Sequence, residues 1–271
     1  MRRVVFVFAA GFFAILGSTM SKAPTLPLYA RSLGLGLAAI GVVCSASTVT
    51  GIFVNFIGGW LSDLYGRRRL LLASGVVFLS APLLYFAARG ALSLAAVRAY
   101  YGAATAIFVP VSYALVSDLY PEHRGAFMGL LSSLMLAGRA LAPSIAGALI
   151  YLRGFHPVFL LCSATGAVVL LLLSQVSEAR GRAGAAGGFG LSWGVALVGA
   201  VEASCYMGYQ AFETYLPLFE SMKGAEWLSG LLLSFMIAVM AFLKPLAGYL
   251  SDRVGRGKPI ACLLYTSDAA D

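Results

Sequence analysis

The sequence predicts an all-α polytopic membrane protein, and three observations carry that prediction. Apolar residues make up 60% of the 271-residue chain and charged residues 11%, against about 25% charged in soluble domains, and mean hydropathy is +0.88. The apolar residues gather into eight runs, 4–30, 37–61, 70–88, 91–117, 126–151, 157–177, 190–219 and 227–250, each close to or above the roughly 20 residues that cross a hydrocarbon core. The runs are continuously apolar, whereas barrel strands alternate over about ten residues, and lipid admits only helices or closed barrels.

The first run follows Met1-Arg2-Arg3 but is longer than the apolar core of a secretory signal, about 7–15 residues, so it reads as a membrane helix. The second ends in Gly59-Trp60-Leu61-Ser62-Asp63-Leu64-Tyr65-Gly66-Arg67-Arg68-Arg69. There Gly59 allows close helix contact, Asp63 places a carboxylate at a helix end, Gly66 permits a sharp turn, and the arginines anchor it. The fourth run carries Arg98 and Gly102, and the fifth carries Arg139 near its middle. Residues 178–189, with Arg180, Arg182 and several glycines, read as a flexible linker. The seventh run holds Glu202, Tyr206, Tyr209 and Glu213, and the eighth leads into Asp252, Gly255 and Arg256.

The net charge of +8 would suggest nucleic acid in a soluble protein, but here it is topological. With the N-terminus in the cytoplasm, Arg2, Arg3, Arg67, Arg68, Arg69, Arg124, Arg180, Arg182, Arg253, Arg256 and Lys258 lie inside and only Arg31, Arg89, Arg153 and Lys223 outside. That is the positive-inside bias. Cys44, Cys162, Cys205 and Cys262 sit singly, without the spacing of zinc or redox pairs. No metal, cofactor or nucleic-acid partner is expected; the lipid bilayer and a small-molecule substrate are, with protons as coupling ion and the chain as a monomer.

An internal repeat organises the chain. Leu26-Pro27-Leu28-Tyr29 returns as Leu216-Pro217-Leu218-Phe219, 190 residues on, and Gly59 to Asp63 returns as Gly248 to Asp252, 189 residues on. Helices 7 and 8 therefore repeat helices 1 and 2 in the same orientation, a parallel repeat. The expected units are a six-helix bundle over 1–177, a cytoplasmic loop over 178–189 and a partial second bundle over 190–262. Residues 263–271 resemble translated adapter read-through and are expected to be a non-native tail, with four helices of the second unit missing.

The loop from Gly59 to Arg69 resembles the signature between helices 2 and 3 of the major facilitator superfamily, whose Gly, Asp, Gly and Arg fall at this spacing. Arg98 with Gly102, and Asp118-Leu119-Tyr120-Pro121-Glu122-His123-Arg124-Gly125, resemble two further stretches of that family. Gly138 to Gly147 is loosely similar to the fifth helix of its drug/proton antiporters and lacks their adjacent Gly-Pro pair. The resemblance implies two six-helix halves rocking about a central site, here a complete first half plus helices 7 and 8. It also implies that Asp63 and Asp252 act with Gly59, Gly66, Arg67, Arg68, Gly255 and Arg256 as the inner gate, each aspartate meeting a helix start: Asp252 near Gly125 to Met128, and Asp63 at the start of helix 11, so that with four helices missing one latch is expected intact and that of Asp63 orphaned.

Charges within the bilayer cost about 2.5–3.5 kcal/mol each at mid-helix. Lys22, Arg98 and Lys244 lie near run ends, where they can snorkel, and Glu213 is near the outer end of its helix. Arg139 and Glu202 are central, so they are the strongest candidates for a path, with Glu202 as a proton carrier and Arg139 either binding an anion or neutralising Glu202. Ser18, Lys22, Thr25 and Tyr29 share the 4-3-4 spacing of Glu202, Tyr206, Tyr209 and Glu213, which sets each group on one helical face. The expected function is secondary active transport of a small organic solute, as proton-coupled efflux across the cytoplasmic membrane. The alternative is solute or organic-anion uptake by the same fold. A membrane-embedded enzyme is the rival class; it needs clustered catalytic groups, and His123 and His156 lie in separate loops.

Overall fold

The computed structural model describes residues 2–176, 193–221 and 227–239. The loop at 178–189, the residues Asp252, Gly255 and Arg256, and the tail 263–271 lie outside the described residues. So do the side chains of Asp63 and Glu202, which sit on described helices.

The elements are α1 Arg2–Lys22, α2 Thr25–Ser32, α3 Leu37–Tyr65, α4 Arg67–Leu84, α5 Ala91–Leu119, α6 Arg124–Arg153, α7 Phe155–Ser174 and α8 Trp193–Ser221, then α9 Trp227–Val239. No strand occurs among the described residues. Among the described residues, five spans meet the length and hydropathy of a membrane crossing: Val4–Ser32, Leu37–Asn55, Ala91–Leu119, Phe127–Arg153 and Phe155–Ser174. The α4 helix opens on three arginines, which belong at a water-facing end. Apolar side chains such as Val42 and Phe53 on α3 and Leu160 and Leu171 on α7 remain exposed, an arrangement that lipid tolerates without cost.

One element differs from the sequence reading. The run 4–30 reads as a single helix, but the chain breaks between α1 and α2 at Ala23 and Pro24. Proline has no N–H to donate, and its ring collides with the preceding turn. Thr25 Oγ1 donates to Met20 O at 2.6 Å, which takes up one of the carbonyls that the break frees.

The packing is symmetric. The principal neighbours are α3 with α5, α1 with α6, α1 with α7, α4 with α5, and α4 with α7. Exchanging the span α1–α2 with α5, α3 with α6, and α4 with α7 maps this set onto itself. Three helices thus pack against an inverted copy of themselves, an arrangement that places equivalent joints on opposite membrane faces. Gly66 is the sole residue between α3 and α4, and Gly154 the sole residue between α6 and α7. Their φ angles are +87° and +79°, a region that glycine enters without steric cost.

Equivalent crossings also match. A Cβ on Gly102 of α5 would lie 2.7 Å from Ser47 Cα of α3, and one on Gly138 of α6 would lie 2.6 Å from Phe12 O of α1. The first six spans meet α9 along α6: a Cβ on Gly147 would lie 3.2 Å from Gly230 Cα, and Ser144 N donates to Ser234 Oγ at 2.9 Å.

Candidate functional site: a charged cavity between the helices

A cavity of about 430 Å3 opens between α1, α3, α5, α6 and α8. Its charged lining is Lys22, Arg98, Arg139 and Glu213, with Ser18, Ser47, Asn55, Thr105 and Tyr206 among its polar neighbours. The volume falls within the roughly 300–1,000 Å3 of small-molecule sites.

Glu213 is its electrostatic centre. The residue is 1% exposed, and its Oε2 accepts from Lys22 Nζ at 2.6 Å. Arg139 Nη2 stands 3.8 Å from Oε1, too far for a hydrogen bond, and Oε1 has no hydrogen-bond partner among the described residues. Lys22 Nζ also donates to Gln210 Oε1 at 2.9 Å, one turn back on α8. The Arg139 guanidinium lies 5.7 Å from the centre of the Tyr209 ring, a cation–π distance, and the rings of Tyr206 and Tyr209 are 6.0 Å apart. One carboxylate from α8 therefore serves two cations, one on α1 and one on α6.

Arg98 occupies another part of the wall. It is 4% exposed, and its Nε donates to Ser47 Oγ at 3.1 Å. Gly102 makes this reach possible, because its missing Cβ lets the α3 backbone close on α5 at Ser47. Ser18 Oγ and Thr105 Oγ1 share a hydrogen bond of 3.1 Å across α1 and α5.

At the α3–α4 turn, Arg67 Nε pairs with Asp118 Oδ2 at 3.0 Å and Arg68 Nη2 donates to Ser174 O at 2.9 Å. The arginines after Gly66 thereby tie α4 to the ends of α5 and α7. Gly59 and Asp63 lie on α3.

Of the path residues expected from sequence, Lys22, Arg98, Arg139, Tyr206 and Glu213 line the cavity, and Tyr209 stacks beside it. Tyr29 does not join them. Its hydroxyl donates to Tyr85 O at 3.2 Å, and its ring packs edge-on against Phe155 and Phe159. The break at Pro24 swings α2 out of the phase of α1, so the 4-3-4 spacing no longer sets one face. Arg139, expected to bind an anion or to neutralise Glu202, stands 3.8 Å from Glu213, while the side chain of Glu202 lies outside the described residues. Lys22 and Arg98 do not snorkel to a surface; both turn into the cavity. Sequence reasoning missed Ser47, Asn55 and Gln210. The α3 residues had a signal: Ser47, Gly51 and Asn55 recur every four residues along a run and so face one way.

A family model described as the Major Facilitator Superfamily matches residues 7–267. Among curated proteins, the methylenomycin A resistance protein of Bacillus subtilis is 27% identical over 248 residues, covering 89% of this chain and 49% of that protein. The quinolone resistance protein NorA of Staphylococcus aureus is 25% identical over 235 residues, 82% of this chain and 60% of its own length. The chain thus spans about half the length of the curated relatives it matches. Among solved structures, a D-xylose–proton symporter superposes with a TM-score of 0.69 at 16% identity, covering 93% of this chain and 69% of the other. A peptide transporter in complex with sulfate gives 0.67 at 18% identity, with the same coverages. At such identities the likeness is one of fold.

Proposed function

This chain belongs to the Major Facilitator Superfamily, and we propose that it is a secondary active transporter exporting a small organic solute by proton-coupled alternating access. It acts as a monomer in the cytoplasmic membrane, with the N-terminus inside. The export direction is supported by relatives named for resistance to methylenomycin A and to quinolones. The orientation is supported by the arginines that gather on alternate loops.

The observation that carries the coupling is the position of Glu213. It is buried, it bonds Lys22 across the cavity at 2.6 Å, and its second oxygen accepts no hydrogen bond among the described residues. While ionised, the carboxylate holds α8 to α1. Protonation at Oε1 cancels the charge that keeps Lys22 there and frees the two helices to part. A substrate entering the cavity competes for the same cations, so proton and solute occupy it in turn. The Arg67–Asp118 and Arg68–Ser174 contacts fix the opposite ends of the helices, so that the bundle turns as a body.

Efflux from proteoliposomes containing the full-length protein, with and without a pH gradient, tests the reading. Glu213→Gln should abolish the response to the gradient while counterflow of the same solute continues. Gradient-driven efflux unchanged by Glu213→Gln would sink this assignment. Glu202→Gln, assayed alongside, separates the two glutamates of α8.

A further inference from the structure

Resting on the transporter reading above, we propose that the end of the cavity towards the α3–α4 turn is an uncharged hydrogen-bonding subsite built on Asn55, and that it takes the hydroxyl of a neutral aromatic solute. Asn55 closes the apolar span Leu37–Asn55 and lines the cavity, with its side chain exposed there. A carboxamide brings two donors and an acceptor, and within a membrane such a group serves either to tie helices together or to face a cavity. Asn55 ties nothing: no hydrogen bond reaches its side chain among the described residues. Thr48, two turns earlier on the same face, also lines the cavity. Its hydroxyl is unbonded among the described residues, whereas those of Ser45, Ser47 and Thr50 on either side donate to carbonyls of their own helix.

The facing helix supplies an acceptor. A Cβ on Gly102 of α5 would lie 2.7 Å from Ser47 Cα, and α3 and α5, two spans apart, run in the same direction, so further along both helices Pro110 stands level with Asn55. Pro110 has no N–H, which leaves the Ala106 carbonyl without the donor that the helix would otherwise supply. Ala106 and Pro110 both line the cavity. The carboxamide donates and accepts while the carbonyl only accepts, so a hydroxyl, which does both, satisfies the two at once.

The charges lie at the other end. Lys22 is the last residue of α1, Glu213 and Arg139 gather about it, and Arg98 lies about 18 Å of helix before Pro110. An ionised group at Asn55 would be desolvated without a counter-charge among the described lining residues. Between Thr48 and Asn55 the floor is Gly51, where an added Cβ would meet nothing within 4 Å, and Ile52 and Val109 flank it. The two polar groups are about 10 Å apart along the helix, which leaves an apolar shelf for one flat ring with its hydroxyl at Asn55.

The test titrates phenol and toluene, which have the same shape, into the full-length protein in lipid nanodiscs by calorimetry, with empty nanodiscs as the blank. The quantity read is the ratio of phenol to toluene affinity. Asn55→Leu should lower that ratio about three- to tenfold, the worth of one hydrogen bond between neutral groups, while toluene affinity stays within about twofold and shows that the cavity persists. Pro110→Ala, which restores the N–H and occupies the Ala106 carbonyl, should lower the ratio as well. An unchanged ratio in Asn55→Leu overturns the subsite and makes Asn55 a packing residue; an unchanged ratio in Pro110→Ala overturns the part of the carbonyl. If Asn55→Leu does not fold, Asn55→Ala decides by the same ratio. Proton-gradient flux is measured separately, so intact flux with an unchanged ratio sinks the subsite alone, and a lowered ratio without wild-type flux sinks the transporter reading alone.

Discussion

Lys22 and Glu213 stand 191 residues apart in the chain and meet at 2.6 Å in a buried ion pair. The contact joins α1 to α8. Breaking such a pair from one side leaves the other charge stranded. Lys22→Met should therefore lower stability by about 3 kcal/mol, and the double variant Lys22→Met/Glu213→Gln should recover most of it. Thermal unfolding of the single and double variants in one detergent measures the coupling.

Gly102 carries the approach of α3 to α5. A methyl there would meet Ser47 Cα and Cβ at 2.7 Å, and backbone cannot rotate away as a side chain can. Gly102→Ala should cost about 1–3 kcal/mol by overpacking. Gly129→Ala is the matched control, since nothing lies within 4 Å of its added carbon and helix propensity favours alanine by up to about 1 kcal/mol. The two variants should shift the melting temperature in opposite directions.

Tyr29 belongs to the packing between α2, α4 and α7. Tyr29→Phe should leave solute affinity within about twofold and cost about 1 kcal/mol, the ordinary worth of one hydrogen bond, here the one to Tyr85 O. A large loss of affinity in calorimetry would put Tyr29 back on the path.

That residue marks where legibility ended. Where the apolar runs are described they form helices, because their length and continuity leave the chain few choices in lipid; the second of the paired loops lies outside the described residues. The charged residues of the cavity were legible as types, since Lys22, Arg98, Arg139 and Glu213 are too costly to bury idly. Their partners were not. Glu213 lies near the end of its run, which suggests an easy route to water, but packing against α1 closes that route. Pro24 was visible in the sequence, yet the run continues apolar on both sides of it, and hydropathy carries no record of a change in helical phase. The inverted symmetry of the first six spans was invisible for a related reason: it is conserved in which helix touches which, and Gly66 and Gly154 sit in loops of unlike composition.

The seam between α6 and α9 has a mechanical consequence. Gly147 and Gly230 meet there backbone to backbone, with the Ser144–Ser234 hydrogen bond one turn away. Surfaces without side chains have no rotamers to lose and no knobs to disengage, so one helix can swivel on the other with little change in contact. The seam is thus suited to be a bearing, and the Lys22–Glu213 pair across the cavity its catch. A bulky residue at either glycine would jam the bearing while leaving the catch free to open.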